Sequence, residues 1–265
     1  MKKPKWVVEK EQSKRKAAQE TVWLFGLHAV RDALVNPERQ KIRLLVTKNA
    51  QAKLAEEIDA AGITVEEIDP RKFHDPRNHG VPVDPGSVHQ GALLEVKALS
   101  WGSVEEVCLA AGEGMPTVVL LDQVTDPHNV GAILRSAEVF GAEAVIATAR
   151  HAAPETGALA KTASGALERQ PYLRVRNLAD TITKLQELGF TCLGLDGEAE
   201  ETIDAALADL SDRPVALVMG AEGPGLRQKT KETVDKLVKI PFARDFGSLN
   251  VSNAAAIALY AASKR

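Results

Sequence analysis

Continuous runs of apolar residues alternate with helix-like periodicities over the C-terminal part of the chain. The runs are rich in Val, Ile and Leu, as expected of strands that are buried on both faces. They lie at 117–122, 144–148, 172–175, 191–195, 214–219 and 237–240. Because strands of this kind with helices between them form parallel sheets, the pattern predicts an α/β domain whose sheet is covered on both faces.

A smaller α/β unit is predicted ahead of this sheet. Its strands are expected at 42–47, 63–68 and 91–99, and its helix at 51–62, ending at Gly62. Residues 71–87 are rich in Pro, Gly, Asn and Asp, which predicts a loop. A chain of 265 residues is long enough for two domains.

The organisation predicted from these patterns has four parts. They are a basic disordered tail (1–20), a small N-terminal α/β domain (21–99), a glycine-containing linker (100–114) and a C-terminal parallel-sheet domain (115–265). The tail carries seven Lys or Arg and three Glu, so its net charge is +4. Since the whole chain carries −3, the remaining residues carry −7. A basic arm on an acidic body is compatible with RNA binding, and equally with a solubilising tail.

Other compositional features narrow the class of protein. The chain has only two cysteines, Cys108 and Cys192, each among apolar neighbours. We expect them to be core thiols in a reducing compartment. The sequence has no stretch of 18 apolar residues and no secretory signal. We therefore expect a cytoplasmic protein that does not span or bind a membrane.

Three polar, glycine-containing segments follow apolar runs in the C-terminal domain. They are DPHNVGAILR (126–135), VMGAEGPGL (218–226) and FGSLNVSNAAAIALY (246–260). In an open α/β sheet, ligands bind at the carboxyl ends of the strands. Three such loops therefore predict one shared site.

The first and third segments both run into a predicted helix. Asp126 and Pro127 have the pattern of an N-cap followed by proline at the first helical position. Arg135 lies off the predicted buried stripe of that helix, and taken alone it is typical of a surface arginine. In the third segment Ser248, Asn250 or Ser252 could each cap the terminal helix. The two buried stripes are predicted at Val130, Ile133, Leu134 and Ala137, and at Val251, Ala254, Ala255, Ala258 and Leu259.

The second segment has three glycines within six residues, which allow positive φ and close approach of backbone to a ligand. It is neither a P-loop nor a dinucleotide-binding fingerprint, because the lysine and the glycine spacing are missing. A tight strand-to-helix turn would explain the glycines but not Glu222. A carboxylate there would repel phosphates but could meet a sulfonium cation, a ribose hydroxyl or an arginine.

Taken together and in this order, the three segments resemble the SpoU (TrmH-like) 2′-O-ribose RNA methyltransferases of the SPOUT superfamily. The resemblance implies that Asn129 and Arg135, Glu222, and Ser248 and Asn250 are the catalytic residues. It also implies that S-adenosylmethionine lies against Gly220, Ile240 and Leu249.

The resemblance extends upstream through FGLHAVRDALVN (25–36) and VHQGALLEV (88–96), so it covers about residues 21–265. It implies an N-terminal RNA-binding domain, a trefoil knot near the C-terminus and a homodimer formed by the methyltransferase domain. The layout looks most like the bacterial large-subunit rRNA guanosine-2′-O-methyltransferases, with tRNA ribose methylation as the alternative. Arg244 and Asp245 depart from the small neutral residues common at that place in relatives.

Two other functions are alternatives, and a metal site is a weaker candidate. A non-enzymatic RNA-binding protein of the same fold would be favoured by loss of the arginine or glutamate, and both are present. A nucleotide-dependent oxidoreductase would need an early Gly-x-Gly-x-x-Gly, which is missing. His74, His79 and His89 lie close in sequence, but without Cys partners or regular spacing we expect exposed loop histidines and no metal.

Overall fold

The structure is a computed structural model that describes residues 21–73, 75–108, 115–150, 152–243 and 248–265. The basic tail, His74, the linker residues 109–114, Arg244 and Asp245 lie outside the described residues. By their contacts the described residues group into two compact units. The first unit is residues 21–100 together with Glu155–Glu168, and the second is formed by the described residues of Trp101–Pro154 and Arg169–Arg265.

The elements are numbered here in chain order. The strands are β1 (Thr21–Phe25), β2 (Lys41–Val46), β3 (Val65–Glu67), β4 (Ala92–Lys97), β5 (Thr117–Asp122), β6 (Ala144–Thr148), β7 (Tyr172–Val175), β8 (Thr191–Leu195), β9 (Val215–Gly220) and β10 (Lys236–Val238). The helices are α1 (Leu27–Val35), α2 (Lys48–Lys53), α3 (Ala55–Ala61), α4 (Val104–Cys108), α5 (Pro127–Val139), α6 (Gly157–Ala163), α7 (Leu178–Glu187), α8 (Ile203–Ala208), α9 (Gln228–Thr233) and α10 (Val251–Ala262). Short 3₁₀ turns lie at Pro70–Lys72, Pro76–His79 and Ala166–Glu168.

The first unit contains a four-stranded sheet in the order β1-β4-β2-β3. All three strands predicted there are present, with β3 shorter than expected. The single helix expected at 51–62 is wrong, because the structure has α2 and α3 in its place. Thr47 caps α2 by accepting a hydrogen bond from the backbone N–H of Ala50. The helical conformation is interrupted at the buried Leu54, which separates α2 from α3. The predicted end at Gly62 is confirmed, with that glycine in the left-handed conformation.

The predicted loop between β3 and β4 is pinned by side-chain caps and an aromatic residue. Asp69 and Asp75 cap its two 3₁₀ turns. Phe73 is buried, and the rings of His79 and His89 lie edge-on to it at 5.9 and 4.7 Å between centroids. The expectation of exposed histidines is therefore wrong for His79 and His89, because both imidazoles are half-buried against Phe73 in the core of the first unit.

The segment Glu155–Glu168 is the part of the first unit that comes from far along the chain. Gly157 lies so close to Phe25 that an added Cβ would be 2.0 Å from the Cδ1 atom of that ring. The buried Arg39 donates from Nε and Nη2 to the two carboxylate oxygens of Glu168, at 2.9 and 2.7 Å. Its Nη1 donates to the carbonyl of Lys97 at 2.8 Å. The sequence analysis assigned this segment to the C-terminal domain, since nothing in its local pattern indicates these contacts.

The second unit contains a six-stranded sheet in the order β10-β8-β9-β5-β6-β7, and every pairing in it is parallel. All six apolar runs form its strands, so the predicted parallel α/β sheet is confirmed. The central strands β5, β6 and β9 are buried almost throughout, as their continuous apolar runs require. One correction concerns the predicted linker, which contains α4. Among the helices that the structure describes, none is long and apolar enough to span a bilayer.

Both cysteines lie in the core of the second unit, as expected from their apolar neighbours. Burial raises the pKa of each thiol to about 12, with Glu143 contributing at Cys108 and Asp235 at Cys192. The thiolate is the reactive form of cysteine. Neither residue is therefore suited to nucleophilic chemistry.

Candidate active site

A cavity of about 210 Å³ opens at the carboxyl ends of β8, β9 and β10. The predicted residues Gly220, Ile240, Leu249 and Ser248 all line it. Because neighbouring parallel strands end at the same edge of the sheet, residues far apart in sequence meet there. Sequence reasoning missed several further lining residues, namely Asp196, Gly197, Met219, Lys239 and Phe242.

The glycine-rich loop after β9 closes on itself before the next helix begins. Ala221 and Gly225 exchange backbone hydrogen bonds of 3.1 and 3.0 Å, while Gly223 and Gly225 have φ of 84° and 67°. At Gly220 an added Cβ would lie 2.3 Å from the carbonyl carbon of Gly225. The tight strand-to-helix turn is thus replaced by a small closed loop, and α9 starts only at Gln228. Any side chain at Gly220 would distort this loop.

Asn129, Glu222 and Asn250 form a closed polar triangle. Asn129 Nδ2 donates to Glu222 Oε1 at 3.2 Å, and Asn250 Nδ2 donates to Asn129 Oδ1 at 2.9 Å and also to Glu222 Oε1. One residue comes from each of the three segments. The carboxylate gives both amides a fixed orientation, which explains why a glutamate stands in a loop of glycines.

The local structure that presents the triangle follows from helix capping. Asp126 caps α5 by accepting from the backbone N–H of His128 at 3.0 Å, with Pro127 at the first position, as predicted. Of the three possible caps of α10, the structure selects Asn250, whose Oδ1 accepts from the backbone N–H of Ser252 at 2.9 Å. The predicted buried stripes are confirmed except at Ala254, which is half-buried.

Arg135 does not join the triangle. It lies six residues after Asn129, so its Cα is about 9 Å further along the helix and roughly 120° around it. Its side chain is exposed and makes no hydrogen bond or ion pair with any residue that the structure describes. Within one chain, therefore, the structure brings four predicted catalytic residues to one edge of the sheet and leaves Arg135 on an outer face.

The electrostatics of the cavity include one fixed charge pair. Asp196 forms an ion pair with Lys231. Burial by itself would raise the pKa of Asp196, but Lys231 and the backbone N–H of Glu198 outweigh it, so the pKa lies below its usual value. The cavity thus offers an apolar body formed by Met219, Ile240 and Leu249 with a carboxylate at its edge. Such a lining is typical of sites for organic cofactors.

Sequence reasoning also missed a buried carboxylate beside the site. Asp122, at the end of β5, is 1% exposed and accepts from Arg227 Nε at 2.6 Å and from its backbone N–H at 3.0 Å. A signal for it existed, because this aspartate ends the apolar run 117–122. The ion pair between Asp122 and Arg227 holds the start of α9 against the end of β5.

Comparisons with known proteins show which family the chain belongs to. The model of the SpoU rRNA methylase family matches residues 116–260, and the model for RNA 2′-O ribose methyltransferase substrate binding matches residues 23–101. The chain is 38% identical over 247 residues to the 23S rRNA (guanosine-2′-O-)-methyltransferase RlmB of Vibrio parahaemolyticus serotype O3:K6, covering 91% of this chain and 95% of the relative. It is 39% identical over 244 residues to the protein of the same name from Photobacterium profundum, covering 90% and 96%.

Solved structures share the fold at lower identity. The SpoU methyltransferase AviRb from Streptomyces viridochromogenes, in complex with AdoMet, has a TM-score of 0.75 at 24% identity over 95% of this chain and 92% of its own. An AdoMet-bound rRNA methyltransferase from Sinorhizobium meliloti has a TM-score of 0.73 at 22% identity over 95% and 90%. Because each match covers 95% of this chain, the shared fold includes both units.

Proposed function

The chain belongs to the SpoU rRNA methylase family, and on that premise we propose that it transfers a methyl group from S-adenosylmethionine to the ribose 2′-hydroxyl of a guanosine in 23S rRNA. One observation carries the choice of target. Relatives of that name share 38–39% identity with about nine-tenths of the chain, across both units. An enzyme that modifies ribosomal RNA works where ribosomes are made, so the proposal includes a cytoplasmic location.

The proposed donor site is the cavity at the ends of β8, β9 and β10. Gly220, Ile240 and Leu249 would hold the donor, with Ser248 at the same wall. Its apolar lining suits an adenine ring, and its edge of backbone groups suits ribose hydroxyls. The carboxylate of Glu222, in the adjoining loop, suits a cationic ligand better than a phosphate, whereas the carboxylate of Asp196 at the cavity edge is already paired with Lys231. When bound, S-adenosylmethionine supplies a methyl group that is already activated for displacement.

In the proposed mechanism the protein positions the attacking oxygen and helps remove its proton. Asn129, Glu222 and Asn250 would orient the ribose against the donor cavity through their hydrogen-bonded triangle. A guanidinium does not deprotonate in proteins, so Arg135 would orient the hydroxyl and the neighbouring phosphate instead of acting as the base. The phosphate or water would then accept the proton. Such positioning can supply several kcal/mol of barrier lowering, on the order of 7–11 in well-oriented systems.

We also propose that the chain forms a homodimer through the methyltransferase domain. Ile257 and Tyr260 on α10 are 41% and 50% exposed, and Val139 on α5 is 69% exposed. Large apolar side chains grouped at a surface mark an interaction site. Since Arg135 lies one turn from Val139 on the same helix, a partner at this surface would meet Arg135 as well. The trefoil knot implied by the resemblance stays a prediction.

Replacing Gly197 by valine is expected to weaken binding of S-adenosylhomocysteine at least tenfold without unfolding the protein. Gly197 lines the cavity outside the left-handed region, and an added Cβ would have only Phe242 nearby, at 3.9 Å. The added methyl groups would therefore occupy donor space and not backbone. Calorimetry measures the affinity. The matched control is Glu200→Val, at an exposed position outside the cavity; equal affinities of the two variants would place the donor elsewhere.

The target is tested with the full chain, S-adenosylmethionine, and either 23S rRNA or tRNA. We expect ribose methylation of one guanosine in 23S rRNA, mapped by resistance of its phosphodiester to alkali. The full chain is needed because a truncation at residue 99 would strip β1 from α6, where Gly157 contacts Phe25. Methylation of tRNA alone would contradict the target but keep the chemistry. Binding of RNA with no methylation would indicate a non-enzymatic RNA-binding protein.

A further inference from the structure

A second cavity, of about 560 Å³, lies at the carboxyl ends of β6 and β7. Its lining carries four cationic side chains and one carboxylate. These are Arg150, Arg176, Arg227, Lys229 and Asp180. None of them belongs to the three segments that define the donor site.

Most of the positive charge in this cavity is uncompensated. Arg150, Arg176 and Lys229 are exposed and form no salt bridge with any residue in the described ranges. Arg227 is held in place by Asp122 through Nε and its backbone N–H, while its side chain remains 45% exposed. The cavity therefore combines one anchored guanidinium with three cations that are open to a ligand.

An unpartnered hydroxyl provides an independent indication of a ligand. Thr148, at the end of β6, lines the cavity and is 6% exposed. Its Oγ1 is buried without a hydrogen-bond partner among the residues that the structure describes. Buried polar atoms in native proteins are nearly always satisfied, so an orphan hydroxyl beside a basic cavity points to a partner outside the described residues, and an oxygen of an anion bound in the cavity would satisfy it.

The position of the cavity relates it to the proposed active site. The donor cavity lies at the ends of β8, β9 and β10, and the basic cavity at the ends of β6 and β7, so the two lie on either side of β5 in the sheet order. Asp122 at the end of β5 contacts Arg227, and the chain after Asp122 leads into α5 with Asn129. Arg227 also follows Glu222 by five residues. The basic cavity thus adjoins the loops that carry the polar triangle.

We propose that this cavity binds one backbone phosphate of the RNA close to the target nucleotide, an inference that rests on the proposed function. Three arginines offer the planar, bidentate geometry that matches phosphate oxygens. None of the described residues that line the cavity is aromatic, so they offer no platform for stacking a base. Asp180 would oppose a second anion. The ligand is therefore a single phosphodiester group, held beside the ribose that reacts.

The test compares RNA binding by the full-length Arg150→Gln/Arg176→Gln variant with that of wild type, on the same 23S rRNA fragment. The control is Arg213→Gln. Arg213 is exposed and precedes the amino end of β9, whereas the cavity lies at the carboxyl ends of the strands. We expect the double variant to lose affinity about tenfold or more. We also expect its slope of log affinity against log salt to fall by about 0.7–0.9 for the lost phosphate contact. Binding of S-adenosylhomocysteine should not change.

A second measurement locates the phosphate. RNA fragments are made in which one linkage near the target is a neutral methylphosphonate, with a 2′-deoxy nucleotide on its 5′ side for stability. At one linkage the neutral group should weaken binding by wild type and leave the double variant unaffected. Two results together would overturn the cavity proposal. The double variant would show the same salt slope as Arg213→Gln, and no single neutral linkage would weaken binding by wild type while leaving the double variant unaffected. Failure of wild type to methylate any RNA would overturn the proposed function separately, because binding is read without turnover.

Discussion

Alanine at Arg135 is expected to reduce turnover by on the order of 100-fold or more, the size of effect seen when one group acting in a transition state is removed. The folded structure should be unaffected, because the side chain is exposed and makes no hydrogen bond or ion pair with the described residues of its own chain. Donor binding should also be retained, since Arg135 does not line the donor cavity. Methyl transfer to 23S rRNA and calorimetry with S-adenosylhomocysteine measure the two effects.

The same variant tests whether a partner chain completes the site. If Arg135 acts on the partner's ribose, mixing Arg135→Ala with Glu222→Ala should restore part of the activity, because some mixed dimers then hold one intact site. A lysine at position 135 serves as the conservative control and should restore little, since an ammonium lacks the planar fork of a guanidinium. Near-normal turnover of Arg135→Ala would refute its catalytic role. The shared site would be refuted if the mixture of Arg135→Ala and Glu222→Ala were no more active than the two variants measured separately. A monomer in light scattering would refute it as well.

Alanine at Arg39 is expected to destabilise the first unit by about 3–5 kcal/mol, the usual cost of leaving one member of a buried ion pair alone. Arg39 and Glu168 have side chains that are 0% and 4% exposed, and two hydrogen bonds join them. Such a loss is a large fraction of the roughly 5–15 kcal/mol that stabilises a typical protein. Hydrogen exchange of the amides in β2 and β4 measures the effect in this unit alone.

Two matched variants separate burial from charge. Arg43 forms an ion pair with Glu66 in the same unit, but the two side chains are 34% and 48% exposed. Arg43→Ala should therefore cost only about 0–1 kcal/mol. Arg39→Met combined with Glu168→Met should recover part of the stability, because both members of the buried pair are removed together. The recovery is incomplete because the carboxylate of Glu155, 11% exposed and 3.6 Å from Arg39 Nη1, loses this cationic neighbour. Equal losses for Arg39→Ala and Arg43→Ala would show that Glu155–Glu168 does not depend on the buried pair.

Residues 155–168 show where local pattern stops being informative. The sequence analysis placed these residues in the C-terminal domain, although their helix α6 and the buried Glu168 belong to the first unit. Its partner Arg39 lies 129 positions earlier. Since a buried ion pair depends on the mutual distance of both side chains and on the exclusion of water, neither residue alone predicts it.

In the loops of the candidate site, too, some features were predicted from neighbouring residues and others depended on tertiary contacts. The pattern of Asp126 and Pro127 predicted the start of α5, because capping depends on a few adjacent residues. Three residues could equally have capped α10, and Asn250 was selected because its amide also meets Asn129 and Glu222. The identity of these residues as one site came from the family resemblance, whereas their hydrogen bonds required coordinates.

The sequence by itself determined the six strands of the second unit, the class of the sheet and the glycine-rich and capped loops at its edge. Strands buried on both faces must be apolar throughout, and caps act within one turn, so both leave marks in consecutive residues. Only the tertiary structure decided the strand order, the polar triangle and the basic cavity around Thr148. Each of these depends on which strand ends become neighbours. That choice is set by the packing of the whole sheet and its helices, and no single segment encodes it.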